Sequence, residues 1–113
     1  MEKYLGKMVN VIMDRPLGSK HPKHNFIYSL NYGYIPDTIS GDGEEVDAYI
    51  IGEFGPLEKY LGYVVAIIKR EDDIEDKLVV CKELEKYSKE QIEVLVEFQE
   101  RFFKSSVITR NEI

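Results

Sequence analysis

Strand-like segments come first in this chain and a helical segment comes last, and this order constrains the fold more than any other feature. Residues 7–13, 46–51, 61–69 and 77–81 are rich in β-branched and apolar side chains, with glycines and prolines in the turns between them. Strand and helix do not alternate, so the pattern excludes a parallel sheet built from βαβ units.

The helical segment is marked by its start signal and by its apolar spacing. Ser88 and Gln91 stand at the positions of a capping box, which predicts a helix over residues 89–104. Apolar side chains then recur at helical spacing, at Ile92, Leu95, Val96, Phe102 and Phe103. We therefore predict an α+β fold in which a small, strongly curved sheet or barrel is covered by a C-terminal amphipathic helix.

Composition argues for a globular protein and against several classes of partner. The 113 residues, 43% hydrophobic and 32% charged, suffice for one domain over residues 1–113. A formal net charge of -6 disfavours nucleic acid and anionic membranes as partners. A single cysteine, Cys81, excludes an intrachain disulfide, and no signal peptide or membrane span is recognisable, so we expect a cytoplasmic protein.

Acidic residues gather in two short windows, and each window lies at the end of a predicted strand. If two of these strands were adjacent and antiparallel, both windows would meet at one rim of the sheet. Carboxylates held this close repel one another, and a hard divalent cation with oxygen ligands can hold them together. The two windows contain Asp42, Glu44, Glu45 and Asp47, and then Glu71, Asp72, Asp73, Glu75 and Asp76.

Solvated acidic loops are the alternative, and for residues 71–76 that alternative is the stronger one. The first window differs, because Asp47 enters a strand between the apolar Val46 and Ala48. An EF-hand is excluded, since Val46 and Asp47 replace a ligand and the obligatory glycine of that loop. The spacing suits a carboxylate cradle for Mg²⁺, whose remaining ligands are waters and a substrate phosphate.

A phosphate ligand would also need cations, and the sequence offers lysines at positions 20, 23, 77 and 104. His21 and His24 stand three residues apart beside a proline without a nearby acid, which favours a surface position. Phe98 and the two phenylalanines at 102 and 103 are predicted to belong to the core, as is Cys81.

A family resemblance rests on two of these segments. Asn-Tyr-Gly-Tyr-Ile-Pro at residues 31–36, followed by Asp-Gly-Glu-Glu-Val-Asp at residues 42–47, resembles the signature region of the soluble family I inorganic pyrophosphatases. The resemblance implies an OB-like β-barrel, Mg²⁺ with Mn²⁺ as an alternative metal, and hydrolysis of pyrophosphate or a related phosphoanhydride. It also implies a homo-oligomer, which would cover exposed strand edges.

The same resemblance implies a set of site residues. The metal-binding carboxylates would be Asp42, Asp47, Asp76, Glu71 and Asp14, with Asp72 as the alternative to Glu71. The catalytic and phosphate-binding residues would be Glu44 as the base, together with Asp42, Tyr32, Lys23, Lys77 and Lys104.

The chain departs from the family's pattern at three points. Glu44 replaces an aspartate, Phe103 replaces a tyrosine, and the nine residues from Lys23 to Tyr32 leave no room for a hairpin that carries a phosphate-binding arginine. We identify no replacement for that arginine in the sequence. Two alternatives to hydrolysis follow: a non-catalytic domain that binds metal and a phosphorylated ligand, and an oligonucleotide-binding barrel with stacked tyrosines.

Overall fold

Residues 1–112 are described by the structure, a computed structural model, and five of their strands close into a barrel. The barrel strands are β1 (Met8–Arg15), β2 (Asn31–Ile35), β3 (Val46–Ile50), β4 (Lys59–Arg70) and β5 (Lys77–Cys81). They are followed by the helix α1 (Lys89–Glu100) and the strand β6 (Ser105–Thr109). Short 3₁₀ helices at Glu2–Tyr4 and Arg110–Glu112 flank these elements.

The strand order is β1-β2-β3-β5-β4, and β4 returns to pair with β1, which closes the barrel. All neighbours are antiparallel except β3 and β5, which run parallel with Ala48 opposite Leu78. The long strand β4 pairs with β1 over its first half and with β6 over its second half. Closure removes the free edges that an open sheet would expose. The predicted α+β fold with an OB-like barrel and a covering helix is confirmed.

Two apolar layers lie on the two faces of the barrel wall. The barrel interior is lined by Val11, Val46, Ala48, Ile50, Val64, Leu78 and Val80. The helix-side layer lies between the outer face of the wall and α1, and it comprises Tyr28, Tyr32, Tyr49, Ile51, Ile68, Val79, Ile92 and Val96. Successive side chains of a strand point to opposite faces, so strands buried on both faces are apolar at every position, as β5 is after Lys77.

Local sequence signals give the cores of β1, β3, β4 and β5 and the start of the helix correctly, whereas β2 lies in a segment for which no strand was predicted. The predicted strand over 77–81 matches β5, and the capping box is confirmed, because Ser88 Oγ accepts the Gln91 amide at 3.1 Å. Gln91 Oε1 in turn accepts the Ser88 amide at 2.9 Å. Cys81 is buried on β5, as expected.

The predicted C-terminal end of the helix is wrong, because α1 stops at Glu100 rather than at residue 104. The chain turns there so that β6 can pair with the second half of β4, with Val107 opposite Ile68. A strand of five residues that begins with two serines has little apolar alternation to reveal it. Phe102, predicted to lie in the core, falls in this turn and is 43% exposed.

The structure corrects one further expectation, which concerned the pairing of the strands beside the acidic windows. The sequence interpretation brings the two acidic windows together on adjacent antiparallel strands, but the two strands that follow these windows, β3 and β5, pair in parallel. The windows meet nevertheless, because the parallel strands β3 and β5 begin at the same rim of the barrel.

No helix within residues 1–112 is long and apolar enough to cross a membrane.

Candidate functional site

The two acidic loops touch at the rim where β3 and β5 begin. A Cβ atom added to Gly41 would lie 2.3 Å from the carbonyl oxygen of Ile74, so the loops approach more closely than any residue with a side chain allows. The loop before β3 carries Asp42 and the loop before β5 carries Glu75. Their carboxyl groups lie close enough to shift each other's pKa, which links the two windows directly.

Lys77 lies at the centre of this rim and is 3% exposed. Its Nζ donates to Asp47 Oδ2 at 2.8 Å and also to the carboxylate of Glu75. Tyr32 Oη donates to the same Oδ2 of Asp47 at 3.1 Å. Burial, and then the nearby Asp47 carboxylate, raise the pKa of Tyr32 well above its ordinary value, so its hydroxyl remains a hydrogen-bond donor.

Asp42 is exposed and is held by its own loop. Its carboxylate accepts hydrogen bonds from the Ser40 hydroxyl and from the Glu44 amide, the latter at 3.0 Å. The hydroxyl of Ser40, the carboxyl of Glu75 and the Glu44 amide lower the pKa of Asp42 to about 2. Asp42 is therefore ionised over the physiological range, and its hydrogen bonds order the loop at the rim.

Beside this rim a cavity of about 250 Å³ opens between β1, β2, β3 and the end of α1. We call it the rim pocket. Its walls carry both signs of charge, since carboxylates, guanidinium groups and imidazoles all face it. The lining residues are Asp14, Arg15, His21, His24, Tyr28, Tyr32, Asp47, Arg70, Gln99 and Phe103.

The two carboxylates of the rim pocket influence each other. Desolvation raises the pKa of Asp14, and the negative charge of Asp47 raises it further. The two groups line the same cavity, which accounts for this repulsion. A cation placed between them would lower the electrostatic energy of the site.

Arg70 forms the floor of the rim pocket together with the end of the helix. Its Nε and one terminal nitrogen donate to Glu100 at 3.1 and 2.7 Å, in a buried two-point ion pair. The other terminal nitrogen lies 3.4 Å from Asp73, and the guanidinium stacks 3.6 Å from the ring centroid of Phe103. Phe103 therefore contacts the site through its ring face, although it lacks a hydroxyl group.

Hydrogen bonds continue from Glu100 through the helix-side layer. Tyr49 donates to Glu100 Oε2 at 2.5 Å and accepts from Gln99 Nε2 at 2.7 Å. Gln99 Oε1 accepts the hydroxyl of Tyr28 at 2.6 Å. The orientation of three lining residues is thus set by buried groups behind the pocket.

Carboxylate oxygens are the ligands that Mg²⁺ prefers, so the donor set can be tested for its fit to this ion. No three His, Cys, Asp or Glu side chains of residues 1–112 converge as ligands of one cation. Asp14 and Asp47 do line the same pocket. Since Mg²⁺ is commonly held by one or two carboxylates together with a substrate phosphate, this pair fits a metal that is completed by a phosphate ligand, rather than an all-protein cage.

Several residues implied by the resemblance lie outside the rim pocket. Asp76 accepts the Arg70 amide at 3.2 Å and is 4.0 Å from Lys69. Glu71 is exposed, whereas the carboxylate of Asp72 accepts the Lys104 amide at 3.1 Å. The exposed side chains of the remaining three line no part of the pocket: Glu44, Lys23 and Lys104.

The structure also adds residues that the sequence interpretation does not single out. Arg15 and Arg70 both face the rim pocket, and the histidines expected on the surface line it as well. The sequence contains a hint that Arg70 has a role, because a single arginine ends the apolar strand β4. For Arg15 the sequence signal was weak: it sits beside Asp14 and before Pro16.

Comparison with known proteins gives one consistent result. A family model described as inorganic pyrophosphatase matches residues 8–108. An inorganic pyrophosphatase of Rickettsia prowazekii (strain Madrid E) is 27% identical over 92 residues, covering 63% of this chain and 54% of the relative. The chain thus spans about half the length of the curated relatives it matches.

Solved structures of low sequence identity share the fold. A crystal structure of inorganic pyrophosphatase from Ehrlichia chaffeensis superposes with a TM-score of 0.72 at 18% identity, over 95% of this chain and 88% of that one. An inorganic pyrophosphatase from Helicobacter pylori gives a TM-score of 0.65 at 16% identity, over 90% of this chain and 82% of that one.

Proposed function

Because the chain belongs to the inorganic pyrophosphatase family, we propose that it hydrolyses inorganic pyrophosphate, or a related phosphoanhydride, to phosphate in the rim pocket. The observation that carries this proposal is the meeting of two carboxylates with cationic donors in one small cavity. At about 250 Å³ it lies below the roughly 300–1,000 Å³ of pockets for drug-sized ligands, so it suits a compact anion.

The proposed cofactor is Mg²⁺, with Mn²⁺ as the alternative, and Asp47 and Asp14 are the residues that would hold it. When bound, such an ion acts as a Lewis acid and lowers the pKa of a coordinated water. The chain's own contribution is to orient Asp47. Tyr32 and Lys77 both bind its Oδ2, which leaves Oδ1 as the oxygen without these hydrogen bonds.

Glu44 is the proposed general base, as the family resemblance implies. Its exposed side chain lies outside the lining of the rim pocket, so this role requires the loop that carries Asp42 to bring it to the attacking water. Glu44 lies on the ordered loop at the rim, where its amide donates to Asp42. If it deprotonates the attacking water, Glu44→Gln lowers kcat by about 10²–10⁴-fold, the range of general-base catalysis. The exposed neighbour Glu45 provides a matched control, because Glu45→Gln makes the same chemical change and should leave kcat within twofold.

The decisive measurement is phosphate release from pyrophosphate with Mg²⁺ and then Mn²⁺, comparing wild type with Asp47→Asn. We expect a loss of at least about a hundredfold, as for removal of other groups that act on the transition state. Asp37→Asn is the matched control, since Asp37 is exposed and lies outside the rim pocket. Turnover that persists in Asp47→Asn would contradict the assignment and would point to a contaminating enzyme or another site.

A homo-oligomer is part of the proposal. On the outer face of β1 and β4, Met8, Ile12 and Leu61 are 50%, 39% and 55% exposed and lie on neighbouring strands. Contact between copies would bury these side chains. Light scattering after size exclusion should show an oligomer that Leu61→Lys weakens and that Phe54→Lys, at a side chain 93% exposed elsewhere, does not. A monomeric wild type would refute this part of the proposal.

The proposed location is the cytoplasm. Cys81 is a buried free thiol, which suits a reducing compartment. Fractionation of the native cells should recover the chain with cytoplasmic markers, and recovery with a secreted or membrane fraction would contradict this.

A further inference from the structure

Asp14 and Arg15 are consecutive residues, yet both line the rim pocket. On a regular strand, neighbouring side chains point to opposite faces of the sheet. Here the register between β1 and β2 shifts: Met13 lies opposite Gly33, and Arg15 lies opposite Tyr32, so Asp14 is the extra residue of a β-bulge. The bulge turns both side chains toward one cavity, which is a common use of bulges beside functional sites.

The cationic side chains in and beside the pocket differ in how their charge is balanced. Lys77 is bound by Asp47 and Glu75, and Arg70 by Glu100 and Asp73. Arg15 forms no salt bridge with any residue from 1 to 112. Its guanidinium donates one hydrogen bond, to the carbonyl of Asp14 at 3.2 Å. The Tyr28 hydroxyl also lies beside this guanidinium, and the remaining N–H groups are available to a ligand or to water.

One of the two imidazoles adds no positive charge to the pocket. Nδ1 of His21 accepts the amides of Lys23 and His24, at 3.0 and 3.1 Å. A nitrogen that accepts hydrogen bonds carries no proton, so the His21 ring is neutral in this arrangement. The ring of His24 is exposed and stacks on the ring of Phe102, with 4.3 Å between the ring centroids. Of the two arginines that line the pocket, Arg15 is thus the one without a salt-bridge partner among residues 1–112, although its charge offsets part of the desolvation that raises the pKa of the neighbouring Asp14.

We propose that Arg15 is the phosphoryl-binding side chain of the rim pocket, and that its planar guanidinium holds two oxygens of one phosphate. Arginine suits this task, because its fork of donors matches phosphate geometry. The inference rests on the proposed function for its choice of ligand. It also assigns different roles to the two arginines: Arg15 binds substrate, whereas Arg70 is held by carboxylates and forms the pocket floor.

The test compares Arg15→Gln and Arg15→Lys with wild type in two assays: steady-state hydrolysis of pyrophosphate, and calorimetric titration with inorganic phosphate in the presence of Mg²⁺. Loss of a charged hydrogen-bond donor should weaken phosphate binding and raise KM by about 10- to 100-fold in Arg15→Gln. Arg15→Lys keeps the charge but not the forked donors, so its KM and phosphate affinity should lie between those of Arg15→Gln and wild type. Arg101→Gln, on an exposed part of the helix end, is the matched control and should behave as wild type.

Each outcome bears on one proposal separately. If wild type hydrolyses pyrophosphate and Arg15→Gln keeps both KM and phosphate affinity within twofold, the assignment of Arg15 is wrong and the proposed function stands. If wild type binds phosphate through Arg15 but releases none from pyrophosphate, the assignment stands and hydrolysis is refuted. A fall in melting temperature with unchanged phosphate affinity would show a structural role only and would overturn the inference.

Discussion

The barrel interior and the helix-side layer are packed against the same wall, yet they differ in what they bury. The interior is lined by aliphatic side chains. The helix-side layer contains Tyr28 and Tyr49 and borders Gln99 and the Arg70–Glu100 pair, all of them buried. Each of these polar groups is satisfied, since no buried side-chain nitrogen or oxygen within residues 1–112 lacks a hydrogen-bond partner.

The difference follows from where each layer ends. The barrel interior is enclosed by its own strands, so a polar group there would meet no water and few partners. The helix-side layer opens into the rim pocket, where Tyr28, Gln99 and Arg70 face the cavity. Its buried hydrogen bonds therefore connect the core to the site, and they fix the orientation of the residues that line it.

Cutting this buried network should have the largest effect on stability. Glu100→Ala removes both acceptors of the buried Arg70 ion pair and the acceptor of Tyr49, which leaves the buried guanidinium with only the longer contact to Asp73, at 3.4 Å. Breaking one half of such a pair costs about 3–5 kcal/mol, to be measured by urea unfolding. The exposed Glu97 pairs with Arg101 at 2.6 Å, and Glu97→Ala should cost less than about 1 kcal/mol. Equal losses in the two variants would show that the layer does not depend on the network.

Removing one methylene group from the barrel interior should lower the free energy of unfolding by a smaller amount and should leave the site unchanged. Ile50 is fully buried inside the barrel, and Ile50→Val removes one methylene group from it. The expected loss is about 0.5–1.5 kcal/mol. KM for pyrophosphate should not change, because Ile50 does not line the pocket. A change in KM would mean that the interior, too, is coupled to the site.

Replacing both members of the ion pair sharpens the comparison. Arg70→Met combined with Glu100→Leu makes the helix-side layer resemble the barrel interior, and buried pairs replaced this way are often neutral or stabilising. We expect the free energy of unfolding to return to within about 1 kcal/mol of wild type. If the double variant is as unstable as Glu100→Ala, then the pair itself, and not the unpaired charge, stabilises the fold.

The smallest effect concerns pH and the rim. The pKa of Asp42 is lowered to about 2 by its hydrogen bonds, from an ordinary value of 3.8. The ionised carboxylate therefore stabilises the folded state above pH 3.8, and this contribution is lost as the pH falls toward 2. Asp42→Asn should flatten the dependence of the urea midpoint on pH in this window, whereas Asp37→Asn should not. An unchanged slope in Asp42→Asn would exclude a role for these hydrogen bonds in the folded state.

Parts of the site follow from local sequence, and other parts do not. Tyr32, Asp47 and Asp14 were predicted as site residues, and all three line the rim pocket. Lys77 was predicted as well; it does not line the pocket, but its Nζ donates a hydrogen bond to the Asp47 carboxylate. Their roles were implied by the family resemblance; Asp14, Asp47 and Lys77 lie on strands whose apolar pattern is visible in the sequence, whereas Tyr32 lies on β2, where that pattern predicts no strand. Arg15 could not be placed, because its direction depends on a bulge in the pairing of β1 with β2.

The sequence by itself determined the order of the elements, the helix start at the capping box, the apolar strands and the two acidic windows. Each of these depends on residues that are close together in the chain, where propensity and periodicity act. Tertiary structure decided which strands are neighbours, where α1 ends, and which charges are paired. Those outcomes depend on contacts between distant segments, such as Gly41 with Ile74 and Arg70 with Glu100, and their energies are set only when the barrel closes.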